Sequence, residues 1–348
     1  MKRIIIIAIT LLIAHPSANA GFPAREMYDF TKLQQEKTRY QRKINEFYQQ
    51  VLLPQLDKRD QATLSGIVTL DFPLTSEHLL NFYAKQQGSQ ATVILPVSSL
   101  LFLEDLTTAF AWLHVNGYSG ETVEEYITML KHKDASEFPG KRYPTPLEAL
   151  FVPQDALSDK QVDILGLRLR NTAYAFIILH ELAHILYRHR SYSQISTEQA
   201  RAQETEADQF ALRTLERADT IPGGIIVFFA AQVNYFPNRG QFLAKKRSER
   251  EWQRYIQESQ THPLTTERLK GMARYLDGWS RRAGANEADT LAFIATRLFK
   301  MAEDYDDPEM QGCLAVVAER ADPKSLAPRK HGSKAEAEKL FFQHCHTR

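Results

Sequence analysis

This sequence of 348 residues has little cysteine, little net charge and few long apolar segments. Its two cysteines allow at most one internal disulfide. The formal net charge of +1 at pH 7 does not indicate a basic surface, so we expect no nucleic-acid partner. Outside the first fourteen residues no apolar run is long enough to cross a bilayer. We therefore expect no integral membrane segment after signal cleavage.

The first twenty residues have the three-part pattern of a cleavable secretory signal. Lys2 and Arg3 precede an apolar stretch at residues 4–14, and small residues at 18–20 predict cleavage before Gly21. No cysteine follows the small residues, which disfavours a bacterial lipoprotein. We therefore predict that residues 1–20 are a signal peptide and that the mature protein is exported, to the periplasm or outside the cell.

An HExxH motif at residues 180–184 lies within an apolar run that extends from 173 to 187. On a helix His180 and His184 point about 40° apart and one turn apart, so both imidazoles can bind one ion. Glu181 flanks the pair and can act as a general base. Without a metal, burying these polar groups in an apolar helix would cost several kcal/mol. Catalytic zinc takes three protein ligands and one water, so the motif requires a third ligand.

Helix geometry favours Glu204 as that third ligand. If the HExxH helix continues to about Arg190 and a second helix starts near Thr197, an antiparallel hairpin returns over about 10 Å and brings Glu204 level with the histidines. Ser196 followed by Gln199 is typical of a helix that begins with a capping box.

Three nearby side chains remain to be assigned. Glu206 is an alternative third ligand, because only one of the two glutamates can face the metal. Asp208 lies one turn beyond the favoured ligand on the same face, where we expect it to accept the free ring N–H of a ligating histidine, with His180 as the predicted partner. His189 points to another side of the helix and is expected to be a polar or capping residue near the helix end.

Three motifs follow one another between about residues 165 and 275: HExxH, Glu-x-x-Ala-Asp beginning at Glu204, and a His-Pro pair at His262 followed by Arg268. In these motifs the chain resembles the gluzincin endopeptidases typified by HtpX, the CAAX-prenyl proteases and the periplasmic BepA-like proteases. The resemblance implies that Glu204 binds zinc, that Asp208 supports the site, and that His262 lies near the metal. There it would stabilise the oxyanion or regulate access to zinc. The alternative for His262 is a structural role at the start of a helix.

Periodicity along the chain predicts a mainly α (α+β) protein: a zincin-like helical catalytic domain with a small β-sheet and helical additions. Strands are expected at 66–72 and 91–96 and a helix at 76–86. The sheet edge that borders the cleft is assigned to 91–95 or 147–152. The predicted regions are a mostly helical N-terminal region at 21–140, the zinc peptidase catalytic domain at 141–280, and a helical C-terminal region at 281–348.

Both cysteines, Cys313 and Cys345, fall near the C-terminus. In an exported protein we expect them to form a disulfide, which would stabilise the fold by about 3 to 4 kcal/mol in the chain-entropy model. The alternative is a pair of free thiols.

The sequence thus predicts a zinc metalloendopeptidase with one Zn²⁺ per chain that hydrolyses internal bonds of polypeptide substrates, with a role in protein quality control. His180, His184 and Glu204 would hold the metal, Glu181 would act as general base, and His262 would assist. Two alternatives stay open. One is a zinc-stabilised binding or chaperone-like protein without turnover, and the other is a processing protease of narrow specificity.

Overall fold

The computed structural model describes residues 27–76, 78–244, 248–259, 262, 264–326 and 345. The predicted signal peptide at residues 1–20 lies outside these ranges.

The described chain is mainly helical with one small sheet, as predicted. A π-helical turn at Tyr48–Leu52 continues the first helix. The α-helices are α1 (Phe30–Phe47), α2 (Lys58–Leu64), α3 (Val97–Val115), α4 (Glu121–His132), α5 (Pro146–Ala149), α6 (Lys160–Leu186), α7 (Thr197–Arg217), α8 (Gly224–Tyr235), α9 (Arg239–Ala244), α10 (Glu249–Ser259), α11 (Thr266–Ser280), α12 (Ala285–Asp306) and α13 (Pro308–Arg320).

The sheet has three strands, β1 (Val68–Asp71), β2 (Tyr83–Gln87) and β3 (Gln90–Ile94), in the order β1-β3-β2. β1 runs parallel to β3, and β2 runs antiparallel to it. The prediction of a helix at 76–86 is wrong, because β2 occupies the end of this segment. The tight turn to β3 contains Gly88 at a φ of 63°, and the ladder formed with β3 outweighs the local helical pattern.

Neither segment assigned to the sheet edge lies there. Residues 91–95 belong mostly to β3, whose two neighbours occupy both of its edges. Residues 147–152 begin within α5, which starts with a capping box formed by Thr145 and Glu148. The outer strands of this sheet are β1 and β2.

The HExxH helix α6 is held in the centre of the molecule by close packing against α3 and α8. Every residue of α8 is buried, as expected for a core helix. A Cβ atom at Gly224 would lie 1.9 Å from the carbonyl oxygen of Leu169 on α6, so glycine is required there. The Gly224 N–H also donates to Thr172 Oγ1 at 2.9 Å.

A partly buried ion-pair network attaches the N-terminal helix to this centre. Glu104 on α3 accepts from Arg39 on α1 at 2.9 Å and from Arg170 on α6 at 2.6 Å. Burial opposes ionisation of Glu104, yet these two arginines and Tyr40 hold its pKa below the ordinary value. The network therefore fixes the start of α6 relative to two other helices.

At the other end of the chain, Cys313 on α13 is bonded to Cys345 in a disulfide with a Cα–Cα distance of 5.7 Å, as predicted. Within the described part of the chain, no helix combines the length and the apolar character needed to cross a membrane.

Candidate metal centre and active site

The two histidines of the HExxH motif lie one turn apart in the most buried part of α6. His180 is 4% exposed and Glu181 is 1% exposed, among apolar residues that are almost all buried. The Nε2 atoms of His180 and His184 lie 3.0 Å apart. The spacing of the motif thus brings both ring nitrogens to one point in the core.

A helical hairpin brings the next acidic residues back to this point. α6 ends at Leu186, four residues earlier than expected, where Arg188 adopts a left-handed conformation with a φ of 52°. After a short turn, Ser196 and Gln199 form the predicted capping box that begins α7. Gln203 on α7 bonds the backbone N–H and carbonyl of Arg190 at 2.9 and 3.0 Å, which ties the two helices together.

The hairpin places Glu204 against both histidines. Its carboxylate oxygens lie 3.4 Å from His180 Nε2 and 3.3 Å from His184 Nε2. His262, from the segment before α11, contributes Nδ1 at 3.2 Å from both His180 Nε2 and Glu204 Oε1. One donor atom from each of these four residues lies within 4.8 Å of the others.

This donor set fits zinc in its spacing. Tetrahedral zinc with ligands at about 2.0 to 2.1 Å requires neighbouring donor atoms to lie about 3.3 Å apart. The nearest donor separations among His180, His184 and Glu204 are 3.0 to 3.4 Å. Two or three imidazoles with one carboxylate also match the ligand preference of zinc.

The charges of the site fit a divalent cation as well. Three buried carboxylates, those of Glu181, Glu204 and Asp208, are accompanied by the single guanidinium of Arg268. With neutral histidines this set carries two excess negative charges. Buried charges must be neutralised nearby, so the site requires two positive charges, which one Zn²⁺ would supply.

The same carboxylates also act on the pKa of the histidines. Burial alone would lower the pKa of His180 and His262, but facing carboxylates outweigh it. The pKa of His180 is raised by Glu204 and Asp208, and that of His262 is raised to about 10 by Glu181 and Glu204. Burial lowers the pKa of His184 to about 4.

Asp208 and Arg268 hold the back of the cluster. Asp208 Oδ1 lies 2.9 Å from His180 Nδ1, where the sequence placed it. The guanidinium of Arg268 donates two hydrogen bonds to Asp208, at 2.8 and 2.9 Å, and also contacts Glu204 Oε2 at 2.8 Å. Burial opposes ionisation of both carboxyls, but Arg268 in particular lowers their pKa, that of Glu204 well below its ordinary value. Both carboxylates therefore stay charged, and Glu204 presents its oxygens to the histidines.

Two contributions were not found from the sequence. Arg268 was noted only as part of the family pattern, and nothing in its local sequence indicates that it bridges two carboxylates 60 residues away. Tyr192 lies in the short turn between α6 and α7, and its hydroxyl donates to Glu204 Oε1. A tyrosine between two serines in a turn gives no signal of this contact.

Glu206 and His189 lie on the outer side of His184. Glu206 is not part of the donor cluster. Its carboxylate lies 3.1 Å from His189 Nε2, and His189 Nδ1 lies 2.8 Å from His184 Nδ1. Glu206, the alternative third ligand, therefore contacts His189, the expected capping residue. His189 in turn contacts His184 Nδ1, the ring nitrogen that is not in the donor cluster.

His262 lies between the donor cluster and Glu181. Its Nδ1 joins the cluster, and its Nε2 lies 3.0 Å from Glu181 Oε1. Burial raises the pKa of Glu181, but His262 and the other two histidines outweigh this effect and lower it, so Glu181 is ionised. The side chains of His262 and His184 are 15% and 11% exposed, whereas those of His180 and Glu204 are at most 5% exposed. Solvent therefore reaches the cluster past His262 and His184.

Comparison with protein families agrees with the resemblance seen in the sequence. Residues 119–222 match the model of Peptidase U49, and residues 192–275 match that of Peptidase family M48. Both are families of zinc metallopeptidases, which confirms the suspected gluzincin resemblance. The first match includes the HExxH helix and α7, and the second includes α7, His262 and Arg268. No curated protein and no solved structure matches the chain.

Proposed function

We propose that this protein is a zinc-dependent endopeptidase that cleaves polypeptides in the periplasm or outside the cell, in protein quality control. The observation that carries the proposal is the donor cluster with an ionised, buried Glu181 beside it. A metal site that only holds helices together would need the donors, but it would not need an additional buried carboxylate. Burying an additional carboxylate costs free energy, so its presence indicates a role beyond holding the helices together.

In this proposal His180, His184 and Glu204 hold one zinc ion. When bound, zinc supplies Lewis acidity toward the scissile carbonyl and lowers the pKa of water. Glu181 accepts a proton from the attacking water and delivers it to the leaving amine. Asp208 orients the ring of His180 through Nδ1, and Arg268 keeps both Asp208 and Glu204 charged.

His262 gives this site a resting state. Its Nδ1 lies in the donor cluster and its Nε2 contacts Glu181, so in this proposal substrate and water reach the catalytic groups only after His262 moves. Once displaced, the same imidazole remains close enough to assist at the oxyanion. Such a covered site suits a protease that must not cleave folded proteins indiscriminately.

The test compares the mature protein with its Glu181→Gln variant. Both are loaded with zinc and incubated with an unfolded protein such as reduced casein. We expect the variant to retain zinc and to lose about 10² to 10⁴ in rate, because it lacks the proton acceptor. Glu198→Gln, at an exposed position of α7, is the matched control and should cleave at the wild-type rate.

Three other results would each have a clear meaning. Equal cleavage by wild type and Glu181→Gln would exclude the peptidase mechanism. Zinc retention without cleavage in either protein would favour the binding or chaperone-like alternative. If casein is not cleaved, but Glu181→Gln traps one protein in the exported compartment and wild type cleaves that protein, the enzyme is a processing protease of narrow specificity.

A further inference from the structure

A small cavity adjoins Glu181 and His262 at the active site. Its wall is largely apolar and comes from α6, from α8 and from the segment that leads into β2. The apolar residues are Leu80, Phe82, Phe176, Ile177 and Phe228. The Phe82 and Phe228 rings lie 6.4 Å apart and are tilted by 49°, so the wall presents aromatic faces and edges. Such a surface favours an aromatic ring, through offset or edge-to-face contacts.

The rest of the wall is polar. His180, Glu181, His262 and Arg268 belong to the site already described, and Gln232 does not. Gln232, one turn after Phe228 on α8, is 6% exposed and lines the cavity. Its Oε1 has no hydrogen-bond partner among the described residues. Leaving a buried acceptor unsatisfied costs about 1 to 3 kcal/mol, so the cavity is incomplete until a donor enters it.

We propose that this cavity binds the substrate side chain next to the scissile bond and prefers tyrosine, whose hydroxyl donates to Gln232 Oε1. This inference rests on the proposed function. The cavity adjoins Glu181, the group that returns a proton to the leaving amine, so the bound side chain belongs to the residue that supplies that amine. Phenylalanine fits the same walls but leaves Gln232 unsatisfied.

His262 also lines the cavity. With His262 in the wall the cavity has a volume of about 20 Å³, which is too small for a phenol ring. The ring can therefore enter only as His262 leaves the donor cluster. Displacement of His262 therefore both opens this subsite and exposes the catalytic groups.

The experiment measures kcat/KM for matched peptides that carry tyrosine or phenylalanine after the scissile bond. We expect zinc-loaded wild type to prefer tyrosine over phenylalanine by about 10- to 100-fold, the fold-change that corresponds to one unsatisfied buried acceptor. Gln232→Met keeps the size of the side chain and removes the acceptor. It should bring the ratio of tyrosine to phenylalanine close to one while phenylalanine peptides are still cleaved.

Gln209→Met, at an exposed position of α7, is the control and should keep the wild-type ratio. Zinc content and melting temperature of each variant show that it is folded and loaded. A wild type that cleaves without preferring tyrosine, or a Gln232→Met variant that keeps the preference, overturns the subsite and leaves the peptidase standing. Absence of any cleavage by wild type, across the peptides and unfolded proteins alike, overturns both.

A different set of contacts supports a second inference, at the outer side of His184. We infer that His189 and Glu206 position His184 for the metal. His184 presents Nε2 to the donor cluster, so Nδ1 must carry its proton, and the only acceptor shown there is His189 Nδ1 at 2.8 Å. His189 Nε2–H then donates to Glu206 at 3.1 Å. The left-handed residue Arg188 makes this possible, because it turns the chain so that the His189 N–H bonds the carbonyl of His184 at 3.0 Å.

The readout for this inference is zinc affinity, measured by competition with a chromogenic chelator. His189→Leu should weaken zinc binding about 10- to 100-fold, because His184 Nδ1 then loses the acceptor for its proton. Glu206→Gln should weaken it less, and Glu198→Gln on the same helix should not change it. His189→Gln, whose side-chain oxygen can accept the same proton, should recover most of the loss. Wild-type affinity in His189→Leu would refute the role, as would equal affinity in the leucine and glutamine variants.

Discussion

Replacing Arg268 by methionine tests the charge balance of the site most directly. Its side chain is 3% exposed and makes three contacts of 2.8 to 2.9 Å with Asp208 and Glu204. Methionine fills similar space but leaves two buried carboxylates without their cation. Breaking a buried ion pair from one side costs about 3 to 5 kcal/mol, so we expect a loss of that size in the free energy of unfolding of the zinc-free protein.

Zinc should reduce this loss. A bound divalent ion supplies positive charge to Glu204, so only Asp208 remains poorly compensated. We therefore expect the unfolding midpoints of wild type and Arg268→Met, measured in guanidinium chloride, to differ more in EDTA than in excess zinc. Arg268→Lys keeps the charge but not the planar fork, and its loss should be intermediate.

The matched control for this prediction is Arg274→Met on the same helix. The side chain of Arg274 is 60% exposed and lies 3.7 Å from Glu267, which is 70% exposed, so no measurable change is expected. The reasoning is refuted if Arg268→Met unfolds at the wild-type midpoint in EDTA. It is also refuted if its deficit is as large with zinc as without.

Three further predictions follow from other parts of the molecule. His262→Ala should raise the rate on unfolded substrates several-fold, because the catalytic groups are then uncovered in a larger fraction of molecules; a tenfold fall would instead assign His262 to oxyanion stabilisation. Burial raises the pKa of Asp105 to about 7, even though Tyr28 donates to it at 2.8 Å. The stability that Asp105 contributes is therefore complete below about pH 4 and is lost as pH rises through 7, a decrease of about 4 kcal/mol in the free energy of unfolding over three pH units. Asp105→Asn should remove this decrease in unfolding experiments from pH 4 to 8. Replacing Cys313 and Cys345 together by serine opens a loop with a sequence separation of 32 and should lower the free energy of unfolding by about 3 to 4 kcal/mol; a change below about 1 kcal/mol would contradict the chain-entropy account.

Local rules accounted for much of the site and some of the fold. The 180–184 spacing, the capping box at Ser196 and the distance along two helices together predict that Glu204 returns to the histidines, because helix rise and rotation are regular. The same regularity places Asp208 behind His180. The disulfide followed from composition and compartment, since only one pairing was available. The sheet was predicted less well, because strand pairing depends on partners distant in sequence: β2 was taken for a helix and the central strand β3 for an edge.

What the sequence alone determined about this protein is the chemistry that one helical hairpin can carry: two imidazoles, a facing carboxylate and a general base, all within regular secondary structure. Only the tertiary structure decided what surrounds that chemistry. Packing of α11 against α7 brings Arg268 onto two carboxylates, and the segment before α11 brings His262 over Glu181. The placement of α8 beside α6 sets Gln232 in the wall of the cavity. These contacts join residues more than 50 positions apart, and no local propensity encodes them, because they arise from how the helices bury their apolar faces together.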